Sequence, residues 1–169
     1  WSGMFQQYYT EGWAQTLEAS YGFLSTLKPE DYVAVIAYDM RSDILSDFST
    51  DKNKARAALD MLRTTGFRES NLYDALVDTA ERMSDIEGRK AIVLISSGLD
   101  TFSKLQFGET RRRVQMAGVP VYAIGLLQAA RERADAFGYM SDIAHLDFLM
   151  ADSQMRTFAS ESGGASFFP

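Results

Sequence analysis

Between Trp13 and Leu27 the apolar residues Trp13, Leu17, Tyr21, Leu24 and Leu27 fall three or four positions apart, which is one face of a helix, and Pro29 ends the run. The next segment, Asp31–Asp39 (DYVAVIAYD), drops that period for a continuous run of Val, Ile, Ala and Tyr, the pattern of a short strand covered on both faces. Ile44, Leu45 and Phe48 in SDILSDF predict a short edge strand. Helical spacing returns with Ala55, Leu59 and Leu62, closing near Gly66, and again with Leu72, Leu76, Ala80 and Met83, where Asn71 and Asp74 are placed as a capping box. Lys90–Asp100 (KAIVLISSGLD) is a buried strand that ends in Ser96-Ser97-Gly98. A helix through Val114 then stops at Gly118-Val119-Pro120, and Val119–Leu127 (VPVYAIGLL) is a further buried strand. A helix around Met155, Phe158 and Ala159 closes at Gly163-Gly164, before a last short strand at Ala165–Phe168.

Aliphatic strands separated by amphipathic helices predict an α/β fold, Rossmann-like and doubly wound, with a mostly parallel central sheet and helices on both faces. A length of 169 residues with 46% hydrophobic content fits a single domain over residues 1–169. The first helix has no strand before it, so the first central strand is expected upstream of Trp1, leaving the domain incomplete at its N-terminus. In open α/β sheets the functional crevice lies at the carboxyl ends of the strands, where Ser96 to Asp100 fall. The segment 128–152, QAARERADAFGYMSDIAHLDFLMAD, is longer than the connections of compact α/β domains. Ala130, Ala134 and Phe137 predict a short helix in it, with Arg131, Arg133 and Asp135 facing water. This insertion is expected to help form a partner surface.

Charge and chemistry narrow the functional classes. There are 17 Lys and Arg against 23 Asp and Glu, a net charge of -6, and the one compact basic cluster, Arg111-Arg112-Arg113, fans around a helix instead of lining a stripe. Nucleic acid is therefore not an expected partner. Cysteine is absent, which removes disulfides and thiolate chemistry. The apolar runs Val33–Tyr38 and Ala91–Ile95 fall far short of the roughly 20 residues that span a bilayer, so no membrane insertion by this segment is expected. No Gly-x-Gly-x-x-Gly or Gly-Lys-Ser/Thr loop offers a phosphate cradle. Ser97, His145 and Asp100 are the residue types of a serine hydrolase, but Gly-x-Ser-x-Gly is missing, and His145, the only histidine, reads as a loop or interface residue. A non-enzymatic role is expected, with a serine hydrolase as the distant alternative. Asp31, Asp39 and Asp74 stand at element boundaries as caps. The aromatic set Trp1, Phe5, Tyr8, Tyr9 and Trp13 fits either a binding surface or a cover for the sheet.

Five blocks in order, LKPEDYVAVIAYD, RESNLYDALVDTAERM, RKAIVLISSGLD, AGVPVYAIGL and SESGGASFF, resemble the von Willebrand factor type A family, and within it the bacterial VWFA-related branch, over residues 11–169. The resemblance implies a Rossmann-like sheet, ligand binding by its upper face and, in many members, a metal-ion-dependent adhesion site. That site takes an Asp-x-Ser-x-Ser run after the first strand, a Thr before a central helix and an Asp after the fourth strand. Here Ser70 stands where the Thr is usual, Ser97 stands where the Asp is usual, and the Asp-x-Ser-x-Ser run is missing. Asp100 follows three residues after Ser97. The plain reading of Ser96-Ser97-Gly98 is a turn whose hydroxyls satisfy backbone donors of the next helix. The functional reading is a metal-free polar patch.

What the resemblance implies is thus a protein-interaction or adhesion module with a degenerate adhesion site. It binds a protein partner through Ser70, Asn71, Ser96, Ser97 and Asp100, needs no cofactor and belongs to a secreted or cell-envelope protein. The alternative is a Mg²⁺-dependent adhesion domain completed by an upstream Asp-x-Ser-x-Ser strand.

Overall fold

A computed structural model describes residues 3–39, 42–62, 70–126 and 128–169, without the side chains of residues 3–12, 15, 129 and 130. Gly66 and Leu127, and Trp1 with the side chains of Phe5, Tyr8 and Tyr9, lie outside the described residues. The chain forms two compact units, 1–68 and 69–169.

The first unit opens with helix α1 (Gly3–Thr26), whose end agrees with the stop set by Pro29. Strand β1 (Val33–Tyr38) pairs antiparallel with β2 (Ser42–Ser49), in a register that sets Ile36 opposite Ile44 and Tyr38 opposite Ser42 and slips between Val33 and Ile36. Every residue of β1 is half-buried, so the apolar run is less covered than its composition predicts. β2 is also longer than the short edge strand expected. Helix α2 (Lys52–Met61) packs on both strands and on α1, and its N-cap Asp51 accepts the Asn53 amide at 3.0 Å. Arg56 stacks over the Tyr21 ring, whose hydroxyl donates to Asp60.

The second unit is a parallel sheet dressed with helices. β3 (Ile92–Ser96) and β4 (Val121–Gly125) pair in register from Ile92–Val121 to Ser96–Gly125, and β5 (Ser166–Phe167) adds to the far side of β4. Alternation in β3 and β4 buries Ile92, Leu94, Ser96, Val121, Ala123 and Gly125 on one face while leaving Val93 and Tyr122 exposed on the other. Helix α3 (Leu72–Ser84) buries seven residues from Leu72 to Met83. It packs against α4 (Phe107–Ala117), the crossover from β3 to β4.

The second crossover contains the short helix expected in 128–152 and, after it, the start of a longer one that was not expected there. Most of 128–152 is helical, in α5 (Gln128–Ala136) and the first half of α6 (Asp142–Ser162). The predicted faces are partly exchanged. Arg131 is 6% exposed, with Nη1 and Nη2 both 3.1 Å from Asp152 Oδ1 and the guanidinium over the Phe148 ring, whereas Phe137 lies exposed just beyond α5. Carboxylate and ring offset part of the arginine's lost hydration, while its Nε is buried without a hydrogen-bond partner among the described residues.

The core is centred on Phe158, which meets Tyr73 and Phe107 at ring-centroid distances of 6.0 and 5.2 Å, with Leu72, Met155, Val77 and Val121 fully buried around it. At Gly164 a Cβ would stand 1.9 Å from the Val121 carbonyl oxygen, so β5 can follow α6 only if this residue has no side chain. Phe158→Ala is expected to lower the stability of the second unit by about 3–5 kcal/mol, read from urea unfolding. Gly164→Ala should be at least as damaging as a typical core truncation, and stability unchanged by either would contradict this packing.

Candidate functional site

The predicted site residues lie where β3 ends and α3 begins. An α-helix starts with amides that lack intrahelical acceptors, and an N-cap side chain normally accepts the second or third of them. Asn71 occupies the N-cap, as expected, but makes no side-chain cap bond. Both acceptors come instead from the loop after β3. Asp100 Oδ1 accepts the Tyr73 amide at 3.2 Å, and Ser103 Oγ accepts the Asp74 amide at 3.1 Å while donating to Asp100 Oδ1 at 2.6 Å. A carboxylate at this position also meets the positive end of the helix dipole.

The helix returns the exchange. Asp74 was expected to close a capping box with Asn71, yet its two carboxylate oxygens accept the amides of Lys104 and Leu105, each at 3.0 Å. The Ser70 carbonyl accepts the Thr101 and Phe102 amides at 2.9 Å, and Thr101 Oγ1 accepts the Ser70 amide at 2.8 Å. Helix start and loop thus cap each other. The Asn71 side-chain oxygen, displaced from the usual capping role, is buried without a hydrogen-bond partner among the described residues.

The turn in front of this brace is built for closeness. Ser96, 5% exposed, accepts the Gly98 amide on its hydroxyl at 2.9 Å, so it serves its own turn and not the next helix. Gly98 has φ of 79°, and a Cβ there would lie 2.7 Å from Met155 Sδ and 3.1 Å from Ala151. The strand's carboxyl end is therefore pressed on α6. Tyr73 ties the same helices, its hydroxyl donating to Gln154 at 2.6 Å. Burial, aided by the Asp100 charge, raises the Tyr73 pKa, while the Gln154 bond pulls the other way.

Of the five predicted residues, the structure joins Ser70 and Asp100 through this brace, sets Asn71 at the helix start with no side-chain cap bond, and holds Ser96 inside the turn. Ser97 is half-buried at the strand end, and no hydrogen bond of its hydroxyl is present among the described residues. Thr101, Ser103 and Tyr73 were missed by sequence reasoning; the signal was the Asp-Thr-Phe-Ser run from Asp100 to Ser103, dense in short side-chain acceptors. His145 is elsewhere, 3.4 Å from Asp135, and no contact among the described residues joins it to Ser97 or Asp100. The basic cluster is spent on ion pairs: Arg111 with Glu161, Arg112 with Glu109, and Arg113 with Glu81 at 2.7 Å.

The sequence matches the von Willebrand factor type A domain over residues 5–99, more than half of its length. The chain belongs to that family. No functionally curated protein matches it. Among solved structures it is similar to the conserved hypothetical protein BatB from Bacteroides thetaiotaomicron, at TM-score 0.66 and 11% identity over 93% of this chain and 79% of that one. It is also similar to an aerotolerance-related membrane protein from Bacteroides fragilis with multiple mutations to serines, at TM-score 0.61 and 14% identity over 86% and 75%. These likenesses fix the fold, α/β and Rossmann-like.

A divalent cation draws on charged oxygen donors, and in this von Willebrand A domain three of the four carboxylate oxygens of Asp74 and Asp100 already accept hydrogen bonds. Asp74 has both oxygens on backbone amides, Asp100 has one oxygen on Tyr73 and Ser103, and the remaining Ser70, Ser97 and Asn71 oxygens are neutral. Among the described residues no group of three or more His, Asp or Glu is placed to hold a metal ion.

The brace separates structural from presentable residues. Asp100→Ala should cost about 1–3 kcal/mol in urea unfolding, because a buried helix start loses its acceptor. Ser97→Ala should stay within about 0.5 kcal/mol of the parent. Equal costs for the two would refute the division of roles.

Proposed function

We propose that this von Willebrand A domain is a non-enzymatic protein-interaction module with a degenerate adhesion site, which engages a protein partner at the carboxyl end of β3 without a metal ion. The observation that carries this reading is the commitment of both Asp74 oxygens and one Asp100 oxygen to backbone amides, while no hydrogen bond of the Ser97 or Ser70 hydroxyl is present among the described residues and Phe102, its amide held by the Ser70 carbonyl, is exposed. Ser96, Asn71 and Asp100 are the supporting members of the set. Buried or capping, they hold the surface in which Ser70 and Ser97 are presented. A rigid brace of this kind lowers the ordering cost of binding, which favours recognition through a few neutral hydrogen bonds and one aromatic contact.

A cell-envelope setting follows by analogy with the membrane protein among the similar structures. Among the described residues no helix is long and apolar enough to cross a membrane, so we place this segment beside the bilayer and not in it.

Two measurements test the proposal. Melting temperature should be the same in EDTA and in millimolar Mg²⁺ or Mn²⁺, whereas a cation at a hundred times its Kd would stabilise by about 2.7 kcal/mol, several degrees. A saturable rise would favour a Mg²⁺-dependent adhesion domain. A photocrosslinking residue in place of Ser97 should capture a protein in the native cell that the same residue in place of Met116 does not. That protein, once purified, should bind the chain at least tenfold more weakly after Ser97→Arg. Equal capture at both positions would overturn the proposed surface.

A further inference from the structure

The length of the sheet leaves half of α6 without a floor. Ser162 Oγ accepts the Val121 amide at the start of β4, and Ala151 and Met155 abut Gly98 just past the end of β3, so 151–162 of the helix already matches the strands. A five-residue strand and eleven residues of helix both span about 16 Å. The preceding residues Asp142 to Met150 therefore run on for about 13 Å beyond the sheet's carboxyl edge. Among the described residues the ion pair and ring contact that hold them come from α5, through Arg131 with Phe148 and through Asp135 with His145, and Arg131 also pairs with Asp152 one turn on.

The projecting half has two apolar faces. Ala144, Phe148, Ala151, Met155 and Phe158 lie on the side turned to the core. On the other side Ile143, Leu146, Leu149 and Met150 share an arc of about 120° in helical projection. Each is more than half exposed, as are Phe137 and Tyr139 in the turn from α5, whose rings are 6.1 Å apart. A helix apolar on both sides is ordinarily buried on both, and clustered exposed apolar side chains mark a surface that is covered in use.

The rim identifies what covers it. Asp147 stands about 40° beyond one edge of the arc, Asp142 lies within it at the helix N-terminus, and Glu132 and Asp135 add exposed carboxylates from α5. Between residues 128 and 152 there are five carboxylates against two arginines, one of which, Arg131, is buried on Asp152. Such a rim repels a second copy of itself and an anionic lipid surface, and attracts a cationic one. We propose that the exposed face of the α6 N-terminal half docks an amphipathic helix of a partner protein, apolar on the contact side and rimmed by Lys and Arg. This deepens the reading of the chain as an interaction module by naming a partner chemistry and a second contact surface.

The test uses the whole chain and a designed helical peptide of Leu and Lys, compared with its twin in which every Lys is Glu. By fluorescence anisotropy the Leu/Lys peptide should bind at least tenfold more tightly than the Leu/Glu peptide and should weaken as salt rises. Leu146→Ser with Met150→Ser should weaken it at least tenfold, with the circular dichroism spectrum and Tm unchanged, while Met116→Ser, at an 86% exposed position on α4, should have no effect. Equal affinity for the two peptides, or indifference to the double substitution, overturns the proposal. So does a dimer in sedimentation, or retention on phosphatidylglycerol vesicles, that the double substitution abolishes, since the occupant is then a second copy or a membrane. A partner captured at Ser97 together with failure here would leave the proposed function standing and remove only this inference.

Discussion

The second unit depends on one exchange of hydrogen bonds. Helix α3 contributes seven buried side chains to it, yet a helix that begins in the interior must find acceptors for its first amides, and the loop after β3 must find acceptors for its own. Each solves the other's deficit: Asp100 and Ser103 accept from Tyr73 and Asp74, while Asp74 and the Ser70 carbonyl accept from the residues between Thr101 and Leu105. Hydrogen bonds to charged acceptors contribute about 1.5–3 kcal/mol each, more than neutral ones. The exchange fixes the start of α3 beside the end of β3, and with it the surface on which Ser70 and Ser97 stand. It also determines the chemistry of that surface. Three of the four carboxylate oxygens of Asp74 and Asp100 are spent on these bonds.

A second constraint is geometric. Parallel strands of five residues are matched by about three turns of helix. Helix α6 is 21 residues long, so its surplus projects from the same edge of the sheet that carries the brace. Arg131 and Phe148 anchor this surplus from within, which holds the outward side chains of Ile143, Leu146, Leu149 and Met150 in a fixed array. The polar brace and the apolar stripe thus both arise where the strands end and the helices do not.

Much of this was legible in the sequence, because period and punctuation are local signals. The spacing of Leu72, Leu76, Ala80 and Met83 and the Val/Ile runs placed α3, β3 and β4 within a few residues. Pro29, Gly118 and Gly163 marked three helix ends. What escaped was non-local. Asn71 and Asp74 have the spacing of a capping box, and only the fold reveals that acceptors about 30 residues away outcompete it. Arg131 was assigned to water by its charge, since nothing in the sequence places Asp152 and Phe148 against it. Within 128–152 the first helix was legible, but the start of α6 was not, because its apolar residues serve two opposite faces, which blurs the single stripe that identifies an amphipathic helix. At the site, Ser70 and Ser97 were singled out through the family pattern, Asn71 by its capping-box spacing and Asp100 by its place three residues after Ser97, while Ser103, which completes the cap, was not singled out.

Native-state hydrogen exchange at single-amide resolution tests the reciprocal brace most directly. If helix start and loop hold each other, the amides of Tyr73, Asp74, Lys104 and Leu105 exchange with a common opening free energy, and Asp74→Ala lowers protection of Tyr73 as well as of Lys104 and Leu105. Rapid exchange at Lys104 and Leu105 beside a well-protected Tyr73 would contradict the account, because the loop would then be a passenger on the helix and not its cap.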